Sequence, residues 1–278
     1  MNDMWAQEQY MTASDGVKIH FRDSGGFGIP VLFVHGFTAS IGGQWGKPGL
    51  IAGMREKNWR TIAFDLRGHG KSDRPHGYEF YAGDRMGLDA FELLDYLGIS
   101  TAHIVAYSLG AHIMTSALQD RQHWAQTLCL GGSAGRWNWS EELTRFSYED
   151  ADELETGHIT KHILRQMPKD KPKPSAEELE ALSVKKLKGM DAVALAGVKR
   201  AMPDQAITRE QMTRLSMPIL GIVGTNDPQL AAFRELASFH KKVELVEVEG
   251  ATHGNCPGRK EALDALDRFL KRHDERKA

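Results

Sequence analysis

Three residues in this chain could carry out covalent chemistry together. Ser108 stands in Ala106-Tyr107-Ser108-Leu109-Gly110-Ala111, after the apolar run Ala102-His103-Ile104-Val105-Ala106 and before a helical stretch, Leu109 to Gln119. A serine pinned in a sharp strand-to-helix turn is lifted clear of its sheet. It also sits at the N-terminal end of a helix dipole, which favours developing negative charge. A serine hydroxyl is a weak nucleophile near neutral pH, so it needs a base, and the base needs an orienting acid. His253, in Gly250-Ala251-Thr252-His253-Gly254, follows the strand-like run that ends at Val248. Asp227, in Gly224-Thr225-Asn226-Asp227-Pro228, follows the run that ends at Val223. Alone, each has a plainer reading: a helix-capping serine, a surface-loop histidine, a turn aspartate. In the order Ser, Asp, His, each at the end of a strand, they read as nucleophile, orienting acid and base.

The elements that must position them alternate. Residues 10–23 contain Ser14-Asp15-Gly16, a turn signal between two short strands. Val31-Leu32-Phe33-Val34 reads as a strand covered on both faces, then comes a helix over 44–57, then the strand Thr61-Ile62-Ala63-Phe64. Leu88, Phe91, Leu94 and Leu97 mark one face of a helix over 84–97. Thr127-Leu128-Cys129-Leu130 is the strand after the Ser108 helix. Residues 134–216 then hold no convincing strand; they are charged, helical in character and broken by Pro168, Pro172 and Pro174, with a capping box at Ser175-Ala176-Glu177-Glu178. Strand character resumes at Pro218 to Val223, a helix follows near 229–239, and Val243 to Val248 and a final amphipathic helix end the pattern. The expected class is α/β: a mostly parallel twisted sheet with helices on both faces. Residues 1–133 and 217–278 form its core, and 134–216 are a helical cap inserted between two strands. The charged, proline-rich Lys169 to Pro174 should be an exposed connection.

Length and composition bound the rest. The 278 residues, 41% hydrophobic and 26% charged, are ordinary for a globular protein with a substantial core. A net charge of −2 gives no electrostatic case for nucleic acid or an anionic membrane. The basic run Lys185-Lys186-Leu187-Lys188 and the tail Lys271-Arg272-His273 read as solvated faces. Cys129 and Cys256 form no disulfide framework and no metal-binding pair. No secretory signal and no membrane-length apolar stretch is visible, so the cytoplasm is the expected compartment. His158 and His162 could share a helical face as metal ligands, but no third ligand accompanies them, and no metal or other cofactor is expected.

With those residues in view, the chain resembles the α/β-hydrolase superfamily over nearly its whole length. The carrying residues are His35-Gly36-Phe37, the loop Asp65-Leu66-Arg67-Gly68-His69-Gly70-Lys71-Ser72, the Ser108 hexapeptide, Asp227 and His253. Ala106 departs from the family pattern, standing where the first glycine of the turn usually is, but removes no catalytic atom. The resemblance implies Ser108, Asp227 and His253 as a catalytic triad, and an oxyanion hole made by the backbone N–H groups of Phe37 and Leu109. It implies that Asp65 and Arg67 brace loops, and that the insertion is a lid. Candidate pocket residues are His35, Tyr107, Trp137, Trp139, Phe146 and Met202. The implied activity is hydrolysis of a small-molecule carboxylic ester through an acyl-enzyme. Lactone, enol-lactone or carbon–carbon bond hydrolysis on the same triad stays open, as does a ligand receptor without turnover. Serine rather than aspartate at 108 argues against the dehalogenase and epoxide-hydrolase branches. Substrate identity and oligomeric state stay open.

Overall fold

The computed structural model describes residues 7–167 and 172–274. Eight strands form one sheet: β1 (Gln9–Thr12), β2 (Lys18–Asp23), β3 (Val31–Val34), β4 (Thr61–Phe64), β5 (Ala102–Tyr107), β6 (Ala125–Gly131), β7 (Ile219–Gly224) and β8 (Val243–Val248). Their order is β1-β2-β4-β3-β5-β6-β7-β8. The β1–β2 hairpin and the β2–β4 pair are antiparallel, and every other neighbour is parallel. The hairpin turns at Gly16, whose φ of 88° suits a residue without a Cβ.

The central strands are continuously apolar because helices cover both faces. All residues of β3, β4 and β5 are buried. One face is covered by α1 (Leu50–Glu56) and α10 (Lys260–Arg272), which meet the sheet through Phe33, Val105, Cys129 and Phe269. The other is covered by α2 (Arg85–Tyr96), α3 (Leu109–Ala117) and α9 (Leu230–Phe239), through Leu32, Ile104, Leu128 and Phe233. The single helix expected over 44–57 is instead a π turn, Ile41–Gly46, followed by α1. Pro48 and the left-handed Gly49, φ 84°, separate the two.

Between β6 and β7 the described chain contains helices and no strand: α4 (Glu141–Glu155), α5 (Thr160–Gln166), α6 (Ala176–Leu187), α7 (Ala192–Ala201) and α8 (Arg209–Arg214). The capping box read at Ser175 is formed, with Ser175 Oγ accepting from the Glu178 N–H and the Glu178 carboxylate accepting from the Ser175 N–H. Of the expected connection Lys169 to Pro174, residues up to 171 lie outside those described, while Pro172 and Lys173 are exposed. Among the described residues, no helix is long and apolar enough to cross a membrane.

Two buried networks fix the loops at the carboxyl edge of the sheet. Arg67 is fully buried and forms paired hydrogen bonds to Asp89 and to Asp15, with a further one to the Phe80 carbonyl. Burial opposes its charge, but the two carboxylates outweigh it and push the guanidinium pKa further up. Asp65 accepts from His20 Nδ1 at 2.8 Å and from the Ile41 and Lys71 N–H groups at 2.7 and 2.9 Å. The loop after β4 is therefore tied to the segment after β3.

Candidate active site

The site begins with a strained residue. Ser108 joins β5 to α3 at φ 53°, ψ −113°, a conformation non-glycine residues rarely adopt. The turn is held from both sides. The Ser108 N–H donates to the Gly131 carbonyl at 2.8 Å, and the Ser108 carbonyl accepts from the Ala111 N–H at 3.0 Å. Tight crossing explains the glycine two residues on: a Cβ on Gly110 would stand 2.4 Å from the Val34 carbonyl oxygen. Gly36 shows the same intimacy, since a Cβ there would stand 3.1 Å from the Ser108 Cβ. The His35-Gly36-Phe37 turn thus lies directly against the serine.

The other two residues arrive on neighbouring loops. A Cβ on Gly224 would stand 2.1 Å from the Ala251 carbonyl oxygen, and the Asn226 N–H donates to that oxygen at 2.9 Å. The exits of β7 and β8 are thereby laced together, which sets Asp227 beside His253. His253 Nδ1 lies 3.0 Å from Asp227 Oδ2, and its Nε2 lies 3.3 Å from Ser108 Oγ. The Asp227 carboxylate is buried, and its other oxygen accepts from the Gln229 N–H at 2.9 Å. With Nδ1–H donating to aspartate, Nε2 is left as the acceptor facing the serine hydroxyl. The structure therefore brings together the three residues singled out in the sequence. The serine–histidine distance is at the long end of a hydrogen bond, as is common without a substrate.

Tyr107 holds the histidine loop. Its hydroxyl donates to the His253 carbonyl at 2.6 Å, and the two rings lie 5.5 Å apart. Gly131 and Gly132 make room for it: a Cβ on either would stand 2.6 Å from the tyrosine ring, and one on Gly132 would also approach His253.

Leu109 follows Ser108 directly, and Phe37 lines the same cavity. Leu109 is the first residue of α3, where N–H groups lack intrahelical acceptors. Among the described residues, the Phe37 N–H donates to no other backbone group.

A cavity of about 580 Å³ opens over Ser108 and His253, walled by Phe37, Thr38, Gln44, Tyr107, Asn226 and Thr252. From the helical segment it receives His162, Gln166 and Lys186. Several sequence expectations need correction here. His35 does not line the cavity: it is fully buried, its Nδ1 donating to the Gly36 carbonyl at 2.8 Å and its Nε2 accepting from the Leu66 N–H at 3.0 Å. Trp137 is absent from the cavity wall because its ring packs edge-on to Phe239, 5.1 Å away. Trp139 is turned to Arg136, whose guanidinium stacks 4.4 Å from its ring, and its indole N–H reaches Thr144. Phe146 lies under Arg165, and buried Met202 contacts Ser147 through its sulfur. Of the six candidates, the cavity wall includes only Tyr107.

The reverse correction concerns the basic run. Lys185 and Lys188 are exposed, but Lys186 turns inward and lines the cavity. Helical phase held the signal, since positions 183 and 187 beside it are turned inward too. His158 and His162 do not share one ligand: His158 meets Glu180, whereas His162 meets Lys199 and Asp150.

Residues 29–173 match a family profile described as alpha/beta hydrolase fold. A non-heme haloperoxidase of Rhodococcus erythropolis is 34% identical over 102 residues, 36% of this chain and 35% of that protein. The chain is thus matched along about a third of that relative's length. The 3-oxoadipate enol-lactonase 2 of Acinetobacter baylyi is 27% identical over 275 residues, covering 94% of this chain and 96% of that protein. A carboxylesterase structure from Nitrososphaera gargenis superposes with a TM-score of 0.77 at 18% identity, covering 95% of this chain and 98% of that one. That likeness is one of fold.

Proposed function

The chain belongs to the alpha/beta hydrolase fold family, and on that premise we propose that it is a serine hydrolase of carboxylic esters. The observation that carries the reading is the alignment of Ser108 Oγ, the His253 imidazole and the buried Asp227 carboxylate across contacts of 3.3 and 3.0 Å. Ser108 Oγ attacks the ester carbonyl carbon while His253 Nε2 takes the hydroxyl proton. The Asp227 carboxylate holds the ring and stabilises the imidazolium. The carbonyl oxygen, now an oxyanion, accepts from the Phe37 and Leu109 N–H groups, each worth about 2.7–4 kcal/mol in well-studied hydrolases. The tetrahedral intermediate collapses, the C–O bond to the alcohol breaks, and the imidazolium returns its proton to the alcohol oxygen. Water, deprotonated by His253, then cleaves the acyl-enzyme and restores the serine.

The helices of residues 134–216 act as the lid in this reading, since they supply part of the wall of the cavity that holds Ser108. A second reading, hydrolysis of a lactone on the same residues, draws support from the near full-length alignment with an enol-lactonase. The test is turnover of p-nitrophenyl esters and of a lactone panel by the wild type and Ser108→Ala, with fluorophosphonate labelling of the serine. Ester turnover that is lost in Ser108→Ala is expected. A wild type that neither turns over esters nor labels would overturn the reading.

A further inference from the structure

The part of the Ser108 cavity wall that comes from the helical segment is basic. His162 and Gln166, four residues apart on α5, share one helical face, and Lys186 comes from the last turn of α6. Among the described residues, no carboxylate side chain lines the cavity. Lys186 is half-buried there, and among the described residues it pairs with no carboxylate. Lysines are favoured near helix C-termini, but Lys185 and Lys188 already serve that end from the solvent side. Burial pushes the Lys186 ammonium pKa down. A charge in this position has lost water without gaining a partner among the described residues, and an entering anion would offset that cost.

The groups behind the wall supply no such anion. Asp150 is the buried carboxylate there, and it is already shared between Lys199 Nζ, at 2.9 Å, and Arg165. Lys199 Nζ also donates to His162 Nδ1 at 3.2 Å, which leaves Nε2 as the protonated nitrogen of that ring. Burial, then the charges of Lys199 and Lys186, hold His162 neutral, well below the usual histidine range. The wall therefore presents one formal charge with two neutral donors, the His162 N–H and the Gln166 amide. That set suits a monoanion. A phosphate dianion is better served by a second cation or an arginine fork.

We infer that the substrate is an ester whose far end carries a carboxylate, held by Lys186, Gln166 and His162 while the ester carbonyl lies at Ser108. This inference names the substrate class and rests on the serine-hydrolase reading above.

The experiment reads binding and turnover separately. In Ser108→Ala, calorimetry compares the monomethyl esters of succinate through pimelate with their neutral dimethyl esters. At least one monoanion should bind about ten-fold more tightly than its neutral partner. Adding Lys186→Met should remove that advantage, Lys186→Arg should keep it, and salt should weaken it. With Ser108 intact, the ratio of kcat/KM for mono-p-nitrophenyl glutarate over p-nitrophenyl valerate should fall about ten-fold in Lys186→Met. Equal affinities for both ligand types, no binding of any monoanion, or an advantage that survives Lys186→Met would each overturn the inference. Calorimetry needs no nucleophile, so absent ester turnover strikes the serine-hydrolase reading and leaves the carboxylate site to be judged by binding.

Discussion

The residue before the serine holds the loop of the histidine: the Tyr107 hydroxyl donates to the His253 carbonyl at 2.6 Å, across 146 positions of chain. Tyr107→Phe keeps the ring that Gly131 and Gly132 accommodate and removes only this bond. We expect a stability loss of about 0.5–1.5 kcal/mol by urea denaturation. Ester turnover should fall roughly three- to ten-fold in kcat with little change in KM, because the base is less well placed. A wild-type kcat would mean that the histidine loop is held by Gly224 and Ala251 alone.

Ser108 stores backbone strain. Ser108→Ala keeps the positive φ problem and removes the hydroxyl, so turnover should drop on the order of 10⁶-fold with little gain in stability. Ser108→Gly removes both. It should be the more stable of the two by about 1–3 kcal/mol, the usual cost of such a conformation. Thermal melting of the pair is the measurement, and equal melting temperatures would show that the turn relaxes around alanine.

Trp137 is a packing residue. Its indole sits against Phe239 in the core, so Trp137→Ala should cost about 3–5 kcal/mol. The ratio of kcat/KM between short and long acyl esters should stay as in the wild type. A changed ratio with retained stability would return Trp137 to the cavity wall.

Buried histidines set the response to acid. Burial holds His35, His69, His112 and His162 below the usual histidine value, and His69 is pushed down to about 3, with the neighbouring His35 adding to the effect. Unfolding frees all of them to bind protons near pH 6.5. In the window below that value the unfolded chain binds more protons than the native one, so the contribution present above pH 6.5 is lost as pH falls towards 3. Stability should decline from pH 6.5 to 5, by up to about 1.4 kcal/mol per pH unit for each histidine. Urea midpoints at pH 5, 6 and 7 measure it, and a flat profile would show that these rings charge without unfolding the protein.

What the sequence revealed tracks how local each cause is. Ser108, Asp227 and His253 were legible because each stands in the loop or turn that follows a strand, and a parallel sheet carries all such loops to one edge. The mostly parallel sheet followed from the same alternation, though not the order of its strands. The cavity wall was not legible, because it depends on how α5 and α6 dock. Trp137 and Lys186 show the two errors: an aromatic drawn into the core by Phe239, and a lysine turned inward from a run of charges. Periodicity on α6 places Lys186 beside the inward positions 183 and 187, but does not reveal what those positions face. The break at Pro48 and Gly49 was written in the sequence, in residue types that interrupt helices.

The long span between Ser108 and its histidine also has a temporal meaning. The two are 145 positions apart, and the aspartate lies only 26 before the histidine. At ribosomal speeds of about 5–20 residues per second, a nascent chain holds Ser108 for on the order of ten seconds before its base is synthesised. Throughout that interval the elbow can form on β5 and α3, yet the hydroxyl stays unactivated. The late segments β8 and the loop after it bring the imidazole, with only α10 of the described helices and strands named above still to come. On the proposed mechanism, reactivity is thereby withheld until every strand of the sheet has been made, and a half-made chain carries a shaped but inert serine.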